Sequence, residues 1–148
     1  MLIVNMADLP ALAGRDLGYS DWVVVDQDRI NGFADATGDH QWIHIDVPRA
    51  TAALGGTIAH GFLTLSLLAV FSDQTLEVRD AGKGVNYGFN KIRFLAPVPA
   101  GSRLRSRQTV DSVEEKGGGW VLTRTVTIEI EGQEKPALLA EWLTAVYP

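Results

Sequence analysis

Two short runs hold the residues best suited to chemistry: Gly38-Asp39-His40-Gln41-Trp42-Ile43-His44 and Gly55-Gly56-Thr57-Ile58-Ala59-His60-Gly61. In the first, a carboxylate (Asp39) and an imidazole (His44) stand five residues apart. In the second, a glycine-rich approach opens onto a long apolar segment. An acid/base pair beside a helix start, where backbone N–H groups point outward and favour negative charge, suits one kind of reaction. It is a reaction that moves a proton while a neighbouring oxygen becomes anionic. These residues point to an enzyme.

The elements that must position them can be read from pattern. Asp26 reads as a helix N-cap, and Ile30, Phe33 and Ala34 form an apolar stripe running to Thr37-Gly38. Gly38 can take the left-handed backbone that stops a helix, which makes Asp39 the first residue of the next segment. Residues 39–59 read as a loop with a short helical piece around Pro48 to Ala53. From Gly61 to about Val78 the chain is apolar nearly all round, the pattern of a helix buried on most sides. Upstream, residues 6–14 read as a short helix closed by Gly14, and Trp22 to Val25 as a strand.

Downstream, residues 84–95, 102–114, 119–131 and 137–147 have strand-like composition, with Pro97-Val98-Pro99-Ala100-Gly101, Gly117-Gly118-Gly119 and Gly132 between them. In the third segment Trp120, Leu122, Val126, Ile128 and Ile130 share a face on which Arg124 is the exception. Thr123, Thr125, Thr127, Glu129 and Glu131 occupy the other. Long antiparallel strands beside one apolar helix predict an α+β domain with the sheet wrapped around the helix.

The bulk properties agree and exclude other classes. A length of 148 residues fits a single domain, residues 1–148, with a real core. A net charge of −5 does not suit nucleic acid or an anionic membrane. There is no cysteine, which removes disulfides, thiolate metal sites and a cysteine nucleophile. With three histidines only (His40, His44, His60), a histidine-rich metal site is not expected. The N-terminal Met1-Leu2-Ile3-Val4-Asn5 lacks a basic region and reaches Asp8 quickly, unlike a signal peptide. The apolar stretch Ile58 to Phe71 is too short and interrupted to span a bilayer, so a cytoplasmic protein is expected.

In this order, the blocks resemble the MaoC-like dehydratases, the (R)-specific enoyl-CoA hydratase family of the hotdog fold. The resemblance rests on Phe33-Ala34, Gly38-Asp39, His44-Ile45-Asp46 and Gly55 to Gly61. It continues through Asn86-Tyr87-Gly88-Phe89-Asn90-Lys91-Ile92-Arg93-Phe94 and Pro97 to Gly101, nearly the whole chain. Gln41-Trp42, where many members have Asn-Pro, together with His40, is similar to the subgroup that includes the nodulation protein N-like proteins.

The resemblance implies that Asp39 and His44 hold the water that adds across the 2,3 double bond of a trans-2-enoyl thioester. It leaves open which of them takes the proton and which gives it. It implies that the Gly61 N–H stabilises the enolate-like thioester oxygen, and that no metal or redox cofactor is needed. The expected substrate is an acyl-CoA or acyl carrier protein thioester, and the expected assembly is a homodimer joined at sheet edges. Two other readings compete: a hotdog thioesterase, which usually places its carboxylate elsewhere, and a non-catalytic acyl-binding partner subunit, which would not need both Asp39 and His44.

Several residues carry weaker expectations. No acid occurs from Ala81 to Val110, a stretch holding Lys83, Lys91, Arg93, Arg103, Arg105 and Arg107. Arg103, Arg105 and Arg107 alternate by two and share one strand face. Arg93, Arg103 and Arg105 are candidates for the coenzyme A phosphates, against the alternative of a solvated, charge-protected strand face. Asn90 and Lys91 are candidates for substrate contacts. His60 is read as a structural histidine shaping the loop, His40 and Asp46 as loop and capping residues, and Ser66 as either near the site or bonded to its own backbone. Trp42 would narrow the pocket mouth and favour short acyl chains.

Overall fold

Strand pairing in this chain is decided by tight glycine turns and by apolar residues at every second position. The computed structural model describes residues 1–148. Its first half holds three short strands, β1 (Leu2–Val4), β2 (Asp16–Tyr19) and β3 (Val23–Val25), with a 3-10 turn at Met6–Leu12 between the first two. Then come α1 (Gln27–Thr37), α2 (Trp42–Ile45), α3 (Val47–Leu54), α4 (Gly61–Ser66) and α5 (Leu68–Asp73). The rest is strand: β4 (Leu76–Val78), β5 (Lys83–Phe94), β6 (Ser102–Lys116), β7 (Gly119–Ile130) and β8 (Leu138–Tyr147).

Six strands form one antiparallel sheet in the order β2-β6-β7-β8-β5, with β3 following β2 along the same edge of β6. The pleat of β7 places Leu122, Val126, Ile128 and Ile130 on the inner face, all buried, as alternation predicts. Arg124 is buried there with them. Val126, Ile128 and Ile130 pack with Leu63, Leu67, Leu68 and Phe71 of residues 61–73 in one cluster that also holds Leu104, Leu138 and Trp142, while Leu122 joins Leu9, Leu12 and Val110 in a second. Burying each such side chain contributes roughly 1.5–3 kcal/mol, so this cluster is the main hydrophobic anchor of the helix.

Leu67 keeps right-handed helical angles (φ −69°, ψ −9°), so α4 and α5 make one nearly continuous helical stretch. It differs from expectation in two ways. It ends at Asp73, and Val78 belongs to β4, which pairs in parallel with β1 (Leu2 opposite Leu76, Val4 opposite Val78). Nor is it buried all round: Phe62 is 67 % exposed and Val70 37 %. The reason is architectural, because a helix laid against a single sheet leaves its far side uncovered. The strands β1 and β2 and the single-turn α2 were not legible as elements. Each is too short to show a period.

Candidate active site

Asp39 is delivered by a helix that stops on time. Asp26 accepts the Arg29 N–H at 2.9 Å to start α1. Gly38, at φ 81°, ends it by donating its N–H to the Ala34 carbonyl at 2.8 Å. The chain turns there and presents the Asp39 side chain to solvent beside the start of α4. One Asp39 carboxylate oxygen accepts the Gln41 N–H at 3.3 Å, which leads into α2.

His44 rides on α2 and is buried. Its Nδ1 lies 2.7 Å from the Ile58 carbonyl. A carbonyl only accepts, so Nδ1 carries the proton and Nε2 of the neutral ring keeps its lone pair. Ile58 also donates its N–H to the Ile43 carbonyl at 3.1 Å. The loop is in turn pinned to the Pro97–Gly101 turn: Ala59 donates to the Val98 carbonyl (2.8 Å) and Ala100 to the Thr57 carbonyl (3.0 Å). Gln27 of α1 closes the set. Its Nε2 donates to the His44 carbonyl at 2.8 Å, and its Oε1 accepts the Thr57 hydroxyl at 2.5 Å.

His60 bridges the two halves of the site. Its Nε2–H donates to the Asp39 backbone carbonyl at 2.9 Å. Its ring stacks on His44, with centroids 3.8 Å apart and planes 25° from parallel. Phe33 packs on it from α1 with ring centroids 4.9 Å apart. A carboxylate oxygen of Asp39 and one nitrogen each from His44 and His60 lie within 4.8 Å of one another.

Asp39, His44, His60, Gly61, Phe62 and Phe94 line one cavity of about 270 Å³. An adjoining cavity of about 250 Å³ shares His44, Gly61 and Phe94 and extends past Thr64 to Pro97 and Val98. Gly61 is the first residue of α4, where N–H groups have no partner within the helix. A Cβ on Gly61 would come within 3.0 Å of the Phe94 ring, so glycine lets the strand β5 aromatic pack directly on the helix start.

Asp39, His44 and Gly61 are therefore brought together. The other candidates are not. Asn90 sits on exposed β5 and donates to Glu141 at 2.7 Å. Lys91 and Arg93 are exposed on the same edge strand, and Arg93 points to the opposite pleat from Phe94. Arg103, Arg105 and Arg107 do share a face of β6, the one opposite buried Leu104, Ser106 and Gln108. Each is held by a carboxylate: Arg103 by Glu131 (2.8 Å), Arg105 by Glu129 (2.9 Å), Arg107 by Asp16 (2.5 Å). Arg105 and Arg107 also lie over Tyr19, and Arg103 and Arg105 over Trp22. The triplet forms an ion-paired outer face of the sheet and lines neither cavity. The acids that pair with it lie outside the acid-free stretch: Asp16 on β2, Glu129 on β7 and Glu131 in the turn just after β7.

Trp42 lies beside Arg49, whose guanidinium carbon is 4.2 Å from the ring centroid, and it lines neither cavity. Asp46 caps α3 by accepting the Arg49 N–H at 3.1 Å, and Ser66 donates to the Phe62 carbonyl at 2.6 Å. Exposed His40 pairs with Asp35 at 2.9 Å; that hydrogen bond raises its pKa above the ordinary histidine value. Phe94, Phe62 and buried Thr64 were missed as lining residues. The only signal for them was their place inside blocks already singled out for other members.

Comparison with known proteins places this site in context. The family described as "MaoC like domain" matches residues 8–131. The 3-hydroxyacyl-thioester dehydratase Z of Mycobacterium tuberculosis is 52% identical over 139 residues, covering 93% of this chain and 92% of that protein. Nodulation protein N of Rhizobium leguminosarum bv. viciae is 44% identical over 147 residues, covering 97% and 91%. Among solved structures, the (R)-hydratase from A. caviae involved in PHA biosynthesis aligns with a TM-score of 0.74 at 22% identity, covering 92% of this chain and 96% of that one. That likeness shows the hotdog fold.

Proposed function

Because the chain belongs to the MaoC-like dehydratase family, we propose that it is a hydro-lyase. It interconverts a trans-2-enoyl thioester and the (R)-3-hydroxyacyl thioester, with coenzyme A as the carrier to test first. The observation that carries this reading is one cavity faced by Asp39, by His44 with its proton fixed on Nδ1, and by the Gly61 helix start.

The residues divide the work as follows. Water is held between the Asp39 carboxylate and His44 Nε2. Its oxygen bonds to C3 while the proton passes to Nε2, and the π electrons of C2=C3 move toward the thioester carbonyl. The oxygen that becomes anionic is met by the Gly61 N–H, a donor of a kind worth about 2.7–4 kcal/mol in the transition state. The imidazolium then returns a proton to C2, so one molecule of water is added and the ring is neutral again. Dehydration is the same path reversed. The Ile58 carbonyl keeps the ring in the reactive tautomer throughout.

The functional unit in this reading is a homodimer. The sheet ends on one side at β5, whose Val85 and Tyr87 are exposed, and the helix beside it exposes Phe62 and Val70. An open edge next to apolar surface is what a second copy covers. Light scattering on the eluted protein checks this, and a clean monomer rejects it.

The function is tested by following loss of the 2-enoyl thioester absorbance with crotonyl-CoA and an eight-carbon enoyl-CoA. Asp39→Asn and His44→Gln are run alongside. The expected result is an (R)-3-hydroxyacyl product, with loss of about 10²–10⁴-fold in either variant. Folded protein inactive on both thioesters rejects the coenzyme A reading and moves the test to acyl carrier protein thioesters.

A further inference from the structure

Away from Asp39 and His44, a third cavity of about 240 Å³ lies between the second half of the helix and the strands β5, β7 and β8. It is lined by Ala69 and Ser72 of α5, Val85 and Asn86 of β5, Arg124 of β7 and Thr144 of β8, among others. Arg124 is 4 % exposed. Its Nη1 donates to the Ser72 hydroxyl (2.8 Å) and the Gln108 side-chain carbonyl (3.1 Å), and Nη2 to the Thr144 hydroxyl (2.7 Å). Those bonds use three of the five guanidinium N–H donors. Nε is buried without a protein acceptor. All three partners are neutral, and no ion pair joins Arg124 to Asp73, the one carboxylate lining the cavity.

A buried guanidinium hydrogen-bonded only to hydroxyl and amide oxygens, with Asp73 acting on it through space but not paired with it, has had its water stripped without gaining a bonded counter-charge, which is unfavourable for the fold alone. The arrangement is that of an anion receptor: a guanidinium of fixed orientation with one Nη2 N–H unused by the protein, backed by an indole (Trp142) whose ring centroid lies 4.5 Å from the guanidinium carbon. A carboxylate satisfies such a site through charge-assisted hydrogen bonds.

The position suggests where the carboxylate comes from. On α4 and α5, Phe62, Ser66, Ala69 and Asp73 follow one another at helical spacing and form one outward stripe. Phe62 lines the Asp39–His44 cavity, and Ala69 and Asp73 line the Arg124 cavity. Strand β5 flanks both, with Phe94 at the first and Val85 and Asn86 at the second. At 1.5 Å per residue, Gly61 and Ser72 are roughly 16 Å apart along the helix axis, a span an extended acyl chain can cover.

We propose that the Arg124 cavity binds the terminal carboxylate of an acyl thioester whose reacting end lies at Asp39 and His44, making ω-carboxyacyl thioesters a preferred substrate class. This rests on the hydro-lyase reading.

The test uses chain-matched pairs of trans-2-enoyl-CoA, one ending in methyl and one in carboxylate, across a series of lengths. The expected result is a kcat/KM ratio favouring the carboxylate by at least about tenfold at one or more lengths, the effect of a charged hydrogen bond. The ratio should fall to one or below in Arg124→Met. Ala69→Asp, which puts a negative charge at the mouth from an exposed position, should abolish it as well and covers the case in which Arg124→Met does not fold. A ratio near one at every length in the wild-type protein, or a preference that survives in folded variants, overturns the proposal.

Failure of the hydratase reading is distinguished by titrating the saturated analogues, which cannot react. Tighter binding of the ω-carboxy analogue, lost in Arg124→Met or Ala69→Asp, supports the site even with no turnover. Equal binding rejects it. Free hexanoate, followed through the Trp142 indole resonance, separates the sources. Binding of hexanoate with no preference among the thioesters overturns the acyl-tail assignment and gives the cavity to a free anion.

Discussion

The imidazoles of His44 and His60 are stacked, 3.8 Å between centroids, and their hydrogen bonds run to different carbonyls: Ile58 for His44 and Asp39 for His60. Each ring keeps one nitrogen without a protein partner, Nε2 in His44 and the buried Nδ1 in His60. His60 fastens the backbone of Asp39, the carboxylate proposed to act with His44. A side chain that holds two partners in register acts on geometry, and small misplacements of reacting groups are costly.

His60→Ala should therefore lower kcat by about 10–100-fold with little change in KM, since the substrate contacts stay while Asp39 loses its tether. His60→Asn, which can keep a donor near the Asp39 carbonyl, should recover part of the loss. A change confined to KM would contradict the positioning role.

Gly61→Ala brings a methyl to within 3.0 Å of Phe94 Cε1. Phe94 is 51 % exposed and can swing aside, so thermal stability should move little. Activity should still drop by about 10²–10³-fold, the loss typical of one obstructed oxyanion donor. The double variant with Phe94→Ala decides the cause. Recovery of rate there would mean that crowding by the ring, not obstruction of the N–H, was responsible.

His40 offers a pH test outside the reaction. Its hydrogen bond to Asp35 favours the charged ring and raises the folded-state pKa above 6.5. The sign follows: the contribution to stability is fully present below the unfolded value and fades as pH rises through the folded one. The His40 ring proton should titrate above 6.5 by NMR and return toward the ordinary value in Asp35→Asn. An identical midpoint in both proteins would remove the interaction.

The ion-paired face of β6 predicts small effects. Arg103 and Glu131 are each nearly half exposed, so Arg103→Gln should cost about 0.2–1 kcal/mol or less, and less still at high salt. Chemical denaturation at two salt concentrations checks this. A loss of several kcal/mol would mean the triplet supports the sheet in a way these contacts do not explain.

The N-cap Asp26, the left-handed stop at Gly38 and the four long strands could be read directly from the chain. Each is fixed by local chemistry: a side-chain acceptor, a missing Cβ, or strand-forming composition between turn residues, with the clearest alternation in β7. Asp39 and His44 were singled out by the order of the blocks around them, because a five-residue spacing alone carries little and the turn α2 that holds His44 could not be read from the chain. The tertiary structure decided what no spacing encodes. It placed Phe94, 33 residues beyond Gly61, against the helix start, and paired β1 with β4. It answered each β6 arginine with an acid from β2, from β7 or from the turn after β7. It also turned Arg124, an exception to a pattern, into a buried cation with donors to spare. These are contacts between segments far apart in sequence, selected by which surfaces meet when the sheet closes on the helix. Local residue preferences specify the pieces, and only packing specifies their neighbours.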